Sequence, residues 1–289
     1  MKWILNEQIV EEDQLSISVK DHGFLYGVGL FETFRVYDGT PFLFQEHIKR
    51  LKEGLSLIGI ESKIDQNKMS QDLNRLLEIN NLNDAYVRVT VTAGTAPLGL
   101  PNQKYDKPTI LWQIKPLPPF SDEPSMGKNA IILKTPRNLA ETRIRLKSIN
   151  FLNNVIAKHE IIDLENYEGI FLTHDGYVAE GIVSNIFFVK QGKVYTPSLD
   201  AGILNGITRQ QIISICEQNN ISLMEGLFSP ETLIEADEIF ITNSIQEVVP
   251  ILKLNEREYF FDMNTLTYSI IKAYKDSIKQ TIINNKGSE

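Results

Sequence analysis

Arg143-Ile144-Arg145-Leu146-Lys147-Ser148-Ile149-Asn150 is the stretch on which the reading of this chain turns. Its alternation predicts a short strand running into a helix at Ser148. Side chains alternate along a strand, so Arg143, Arg145 and Lys147 would share one face and Ile144 and Leu146 the other. Three cations on one face call for an anionic partner. Cationic neighbours, and any burial, lower a lysine's proton affinity, which suits Schiff-base chemistry. Taken alone, the run fits a solvated basic strand edge better, because structural charge clusters outnumber catalytic ones. The rest of the chain changes that balance.

With 289 residues the chain is long enough for two domains, each with its own core. The proline-rich stretch from Pro116 to Pro124 marks the boundary. The expected division is 1–115, a linker at 116–127, and 128–289. A net charge of −8 argues against a nucleic acid or an anionic membrane as partner, since phosphate backbones need a basic field. A small anionic ligand needs only a local cluster of arginines. The single cysteine, Cys216, allows no intrachain disulfide and sits among isoleucines as an inert thiol. No signal-peptide core follows Met1 and no apolar run reaches membrane-span length, so a cytoplasmic protein is expected. The four histidines are scattered and no metal is implied.

The first domain reads as mixed α/β. Trp3–Asn6 and Leu15–Val19 are expected strands. Gly23, Gly27 and Gly29 imply a tight backbone path into a strand on which Phe31, Thr33, Arg35 and Tyr37 share a face. A dinucleotide fingerprint would need a helix there, so that reading is rejected. Asp38-Gly39 is a hairpin turn. Helical spacing predicts helices over 45–59, through Ile48, Leu51, Leu55 and Ile58, and over 66–80, through Met69, Leu73, Leu76 and Leu77. His47, Arg50 and Gly54 form a neighbouring row on the first of these. Ala85–Thr92 is a strand with Val87, Val89 and Val91 facing one way and Arg88 and Thr90 the other. Residues 97–108 are loop, and 109–114 a central strand.

In the second domain a strand at 130–133 precedes the basic stretch. A helix is expected from Ser148 to about Leu164, with Leu152, Val155, Ile156 and a core His159 on one face. Four strands near 169–173, 177–180, 185–189 and 193–196 read as a meander. Glu180 ends an otherwise uncharged strand and is either a buried carboxylate or a rim charge. Thr208 and Gln211 suggest a capping box that starts a helix running to about Gln218. The glycine-flanked loop before it would present N–H groups and the positive dipole end to a phosphate. Thr242-Asn243-Ser244, after a strand at 238–242, offers further donors. A helix at about 264–282 closes the chain.

An activated lysine, a carboxylate and two anion-binding ends together describe a pyridoxal-phosphate site. Six motifs strengthen the point: Tyr26-Gly27-x-Gly29-x-Phe31-Glu32, His47-x-x-Arg50-Leu51, Lys147-Ser148-x-Asn150, Glu180-Gly181-x-x-Ser184-Asn185, Gly206-Ile207-Thr208-Arg209 and Thr242-Asn243-Ser244. In this order they resemble the class IV aminotransferases, the fold-type IV pyridoxal-phosphate enzymes, over essentially the whole chain. The resemblance implies a small N-terminal α/β domain and a larger, β-barrel-like C-terminal domain with helices, the cofactor between them, and a homodimer or larger assembly. It implies Lys147 as the Schiff-base lysine, Glu180 at the pyridinium nitrogen, and Arg50, Ile207, Thr208, Asn243 and Ser244 at the phosphate. Ser184, Asn185 and Gly206 belong to the same cofactor-binding motifs. Val28 departs from the pattern, where members often carry Asp.

The family contains branched-chain aminotransferases, D-amino-acid aminotransferases and 4-amino-4-deoxychorismate lyases. The Arg-x-His carboxylate trap of the D-amino-acid enzymes is missing from Ala93–Leu100, and Phe31-Glu32-Thr33 stands where branched-chain enzymes usually show Phe-Glu-Gly. The segments 21–27, 145–154 and 242–244 look most like the lyases. That resemblance implies 4-amino-4-deoxychorismate as substrate, 4-aminobenzoate and pyruvate as products, and a place in folate synthesis. Lys147 would be the general base and Thr33 the proton donor to the leaving group. Tyr26 would line the substrate site, and Arg88, Arg143 and Arg145 are candidate carboxylate clamps. A transaminase on the same lysine is the alternative.

Overall fold

In the computed structural model, which describes residues 1–61, 64–163 and 165–287, the chain groups into two units. One holds Met1–Phe120, Lys147–Asn150 and the residues from Thr281 onward; the other holds Ser121–Leu146 and Phe151–Gln280. The break after Phe120 falls within the proline-rich stretch. The short Lys147–Asn150 segment groups with the first unit although its neighbours on both sides group with the second.

The first unit is built on β1 (Lys2–Leu5), β2 (Gln8–Glu11), α1 (His22–Tyr26), β3 (Gly29–Tyr37), β4 (Thr40–Pro41), α2 (Phe44–Leu57), α3 (Gln66–Asn80), β5 (Ala85–Thr92) and β6 (Thr109–Pro116). Its antiparallel sheet has the order β2-β1-β6-β5-β3-β4, which puts β6 in the interior as expected. Asp38 and Gly39, with φ of 46° and 77°, make the two-residue turn between β3 and β4. The register sets Phe31 opposite Thr90 and Thr33 opposite Arg88, and Arg88 in turn opposite Gln113. Residues directly opposite share a face. Phe34, Val36, Val87, Val89, Trp112 and Ile114 therefore line the other face, where they are buried with the apolar stripes of α2 and α3. Each such side chain contributes on the order of 1.5–3 kcal/mol by burial.

One expectation fails in this unit, and the tight glycine path into β3 proves to hold a further element. Leu15–Val19 is not a strand, because Ile17 and Val19 are exposed and its alternation has no core to face. The glycine run holds a short helix, α1, with the Asp21 side chain accepting from the Gly23 N–H at its start and Gly27 in the left-handed region at its end.

The second unit contains β7 (Lys128–Ile132), α4 (Leu152–Lys158), β8 (Tyr167–Leu172), β9 (Val178–Gly181), β10 (Asn185–Lys190), β11 (Lys193–Pro197), α5 (Ile207–Gln218), β12 (Leu223–Gly226), α6 (Pro230–Ile234), β13 (Glu238–Asn243), β14 (Glu247–Leu254), β15 (Arg257–Glu258) and most of α7 (Leu266–Lys286). The strands follow the order β12-β11-β10-β13-β14-β7-β8-β9, with β15 on β14. The sheet curls into a half-barrel, so that β9, at one end of the path, packs on β10 and β11 near the other. Ile170, Ile186, Phe188, Ile239, Ile241 and Ile251 are among the core residues it encloses.

The expected meander is therefore two hairpins, β8–β9 and β10–β11, on separate parts of the sheet. Strand β10 pairs with β13 rather than β9, and its apolar run from Ile186 to Val189 suits a strand with neighbours on both edges. Helix α4 begins at Leu152 rather than Ser148, because residues 147–149 are bridged to β3 and cannot be helical as well. It ends at Lys158; the expected end near Leu164 lies outside the described residues. Its buried residues are Asn154 and Ala157, while Leu152, Val155, Ile156 and His159 are exposed, so His159 is not a core histidine.

Candidate active site

Lys147 is fixed through its backbone. The Phe31 N–H donates to the Lys147 carbonyl at 3.0 Å, the Ile149 N–H donates to the Gly29 carbonyl at 3.1 Å, and Ser148 bridges Leu30. Asn150 Nδ2 donates to the Gly27 carbonyl at 3.3 Å. Gly27 has φ +69°, and a Cβ there would stand 2.3 Å from Asn150 Oδ1, so both backbone and space require glycine. The predicted strand of alternating cations does not form. Residues 141–147 have no ladder partner among the described residues, Arg143 and Ile144 are exposed, and Arg145 is buried.

The Lys147 ammonium lies 4.7 Å from the centre of the Phe31 ring, and the Arg88 guanidinium carbon lies 3.6 Å from the same centre. Arg88 Nε donates to Thr90 Oγ1 at 3.1 Å. Burial pushes the Arg88 proton affinity down. Thr33 stands directly opposite Arg88. This sheet face also carries Arg35 and Lys115 and no carboxylate: β5 and β6 have none, and the one acid of β3, Glu32, points to the helix side. Tyr26 is exposed on α1, where its hydroxyl accepts from the Gly99 N–H at 2.9 Å.

On the helix-covered face, Glu32 accepts from Arg50 Nε, from Arg50 Nη2 and from His47 Nδ1, each at 2.7 Å. Burial alone would raise the Glu32 carboxyl, but the Arg50 guanidinium and the His47 hydrogen bond outweigh it and hold it at about 2. Burial lowers the proton affinity of His47 despite Glu32, so the imidazole is neutral at pH 7 with its proton on Nδ1.

In the second unit Glu180 is buried at the end of β9. Arg137 Nε donates to its Oε1 at 2.8 Å and the Leu204 N–H to its Oε2 at 2.9 Å, with Arg145 Nε 3.7 Å away. Of the even choice between buried carboxylate and rim charge, the structure selects the former. Arg145 also donates to the carbonyls of Gly202 and Asn138. Asn185 Nδ2 donates to the Leu204 carbonyl at 2.8 Å, and a Cβ on Gly206 would come within 2.0 Å of Asn185 Oδ1. The loop ahead of α5 is thus tied down from three sides.

Helix α5 starts at Ile207 with Gly206 as its N-cap and no side-chain cap. The expected capping box does not form, because Thr208 is already inside the first turn. Ile207 and Thr208 are buried, so the first N–H groups of α5 lie at a buried helix end that no side chain caps. Thr242, opposite Asn185, has a buried hydroxyl with no hydrogen-bond partner among the described residues. Asn243 Oδ1 accepts from the N–H groups of Ile245 and Gln246, which shapes the turn holding Ser244. Ser184 is buried, its carbonyl accepting from the Gly181 N–H at 2.8 Å. Nearby Glu168 accepts from the Ile182 N–H at 2.9 Å, and burial raises its proton affinity.

The amino-transferase class IV family model matches residues 29–254. The chain belongs to the class IV aminotransferase family. It is 42% identical to an aminodeoxychorismate lyase of Bacillus subtilis (strain 168) over 285 residues, 98% of this chain and 96% of that protein. It is 32% identical to a D-alanine aminotransferase of Bacillus licheniformis over 255 residues, 88% of this chain and 89% of that one. The crystal structure of a branched-chain aminotransferase from Thermoproteus uzoniensis with norvaline matches it with a TM-score of 0.86 at 26% identity, covering 98% of this chain and 97% of that one. As a class IV aminotransferase it is a pyridoxal-phosphate enzyme. Each unit holds groups that suit that cofactor: in the first, a lysine amine suits an aldehyde; in the second, a buried carboxylate suits a ring nitrogen, and an uncapped helix end and a hydroxyl with no partner among the described residues suit a phosphate.

Sequence reasoning assigned no role to Glu32, His47, Arg137 or Glu168. Glu32 had a legible signal, being an acid among Leu30, Phe34 and Val36 on the apolar face of a strand, with His47 and Arg50 in one helical row. Arg137 lies outside regular structure, where no period announces a partner.

Proposed function

We propose that this chain is a 4-amino-4-deoxychorismate lyase, releasing pyruvate and leaving 4-aminobenzoate. The observation that carries this reading is the pairing of Lys147 and Arg88 on the Phe31 ring, on a sheet face with cations and no carboxylate. A substrate with two carboxylates gains from such a face, whereas a branched-chain side chain gains nothing. The likeness to the lyase, higher in identity than that to the D-alanine aminotransferase, supports the same reading.

In this proposal Lys147 anchors the cofactor aldehyde and Glu180 faces the ring nitrogen. Arg50, the N–H groups of Ile207 and Thr208, and the Asn243-Ser244 turn take the phosphate. The bound cofactor supplies an electron sink. Lys147 takes the proton from the amine-bearing carbon of the substrate as general base. Thr33, on the same face as Arg88, hands a proton to the departing enolpyruvyl group, so the proton lost at carbon is balanced by one gained in pyruvate. Arg88 clamps a substrate carboxylate. Arg145, whose donors serve Gly202, Asn138 and Glu180, takes a supporting role, and Arg143 stays outside. We also propose that the working form is a homodimer.

The test is a product assay. Aminodeoxychorismate is generated from chorismate and glutamine by a partner synthase, and 4-aminobenzoate is followed with and without this protein. Rapid enzyme-dependent release, abolished in Lys147→Ala, is the expected result. No release from protein that holds the cofactor would make the chain a transaminase, to be tried on D-alanine and leucine with 2-oxoglutarate.

A further inference from the structure

Glu32 and His47 take no part in the steps above, yet they are among the most deeply buried polar groups of the first unit, with side chains 1% and 2% exposed. His47 and Arg50, three residues apart, lie on one face of α2 and converge on the Glu32 carboxylate, which holds the guanidinium by two parallel bonds. Breaking a buried ionic cluster of this kind is costly, but apolar side chains of the same volume would serve stability as well as the whole cluster does. What it supplies is orientation. With Nε and Nη2 both bound to one carboxylate, the guanidinium cannot turn about its long axis. The Arg50 side chain is 18% exposed against 1% for Glu32, so the cluster opens outward through Arg50. The Lys147 charge is close enough to contribute to the lowered proton affinity of His47, which places the cluster near the lysine.

We propose that Glu32 and His47 are positioning residues that hold the Arg50 guanidinium in the one plane from which it receives the cofactor phosphate. The inference rests on the reading of Arg50 as a phosphate ligand. Glu32 fixes the plane, and His47 fixes Glu32 by donating its Nδ1 proton to the second oxygen. Neither touches the cofactor.

The experiment compares binding of pyridoxal 5′-phosphate and of pyridoxal, which lacks the phosphate, to the full chain freed of cofactor and followed by absorbance. Arg50→Gln sets the scale: it lowers the preference for the phosphorylated form and leaves pyridoxal binding unchanged. Glu32→Gln, with Arg50 still charged, is expected to lose about 10-fold or more of that preference, by analogy with the loss when a group that orients a metal ligand is removed. The double variant is expected to be no worse than Arg50→Gln alone, because a positioning residue acts only through its client. Should Glu32→Gln fail to fold, Arg50→Lys keeps the charge without the fork and should lose a similar factor. His47→Ala should lose several-fold, with His47→Asn recovering part of it by restoring a donor. If Glu32→Gln weakens both ligands equally, or Arg50→Lys keeps the full preference, the positioning role is overturned while Arg50 stays at the phosphate. If Arg50→Gln itself leaves the preference intact, the reading of Arg50 falls and the inference falls with it.

Discussion

At single residues the molecule uses burial in opposite senses. Glu32 is ionised because its partners outweigh desolvation, whereas Glu168 is held towards its neutral form because its partners do not. The two give opposite pH dependences. An unfolded glutamate titrates near 4.5 and folded Glu32 at about 2, so its stabilisation is complete above pH 4.5 and is lost as pH falls towards 2. The difference corresponds to about 3 kcal/mol. His47, whose proton affinity is lowered, adds a loss of the same sign below about pH 6.5. Folded Glu168 keeps its proton longer than the unfolded chain does, so it costs stability as pH rises above 4.5. In urea titrations from pH 4 to pH 8, Glu32→Gln is expected to be less stable than wild type, with the gap narrowing towards acid. Glu168→Gln should match wild type at pH 4 and exceed it at pH 8. Equal slopes for the two variants would refute the assignment. On the sheet face that carries Phe31 and Arg88, Arg88→Met should raise KM for aminodeoxychorismate about 10- to 100-fold and change kcat little, as for loss of uniform binding. An unchanged KM would remove Arg88 as the clamp.

At the scale of elements, legibility followed burial. Helices α2 and α3 and strand β5 lie close to where the sequence put them, because each buries a single apolar face and the period survives to be read. The basic stretch misled for the converse reason: its alternation faces no core, and what fixes Lys147 is a backbone bridge to β3 that no side-chain pattern encodes. Arg145 and Lys147 were read as partners on one face, yet Arg145 serves Glu180 and Lys147 lies on Phe31. The start of α5 was found but its cap was not, because the long-range Asn185–Leu204 bond, rather than a local box, shapes it. Gly206→Ala tests this: its Cβ would collide with Asn185 Oδ1 and displace the start of the helix. We expect the melting temperature to fall by several degrees, for a loss of about 1–3 kcal/mol, with weaker phosphate binding. Combining it with Asn185→Ala should restore part of the loss, since the two share one clash. Strict additivity would mean the collision is relieved elsewhere.

For the whole molecule, the net charge and the exposed apolar side chains make a joint argument about assembly. Leu152, Val155 and Ile156 on α4 are 71%, 46% and 49% exposed, although two buried positions, Asn154 and Ala157, alternate with them. Apolar side chains clustered on one short helix are the kind of surface that a second protein surface covers. A second copy, the proposed partner, also carries a charge of −8, so long-range electrostatics oppose its approach and apolar burial has to supply the attraction. Light scattering should therefore give twice the 32.9 kDa chain mass. Raising sodium chloride from about 0.05 to 0.5 M should tighten the dimer, because the Debye length falls from about 14 Å to about 4 Å and the repulsion is screened. Leu152→Glu with Ile156→Glu, two positions four apart on one helical face, should shift the mass towards the single chain. A dimer that weakens with salt would point instead to a contact made by opposite charges, and a dimer indifferent to the double substitution would place the contact away from α4.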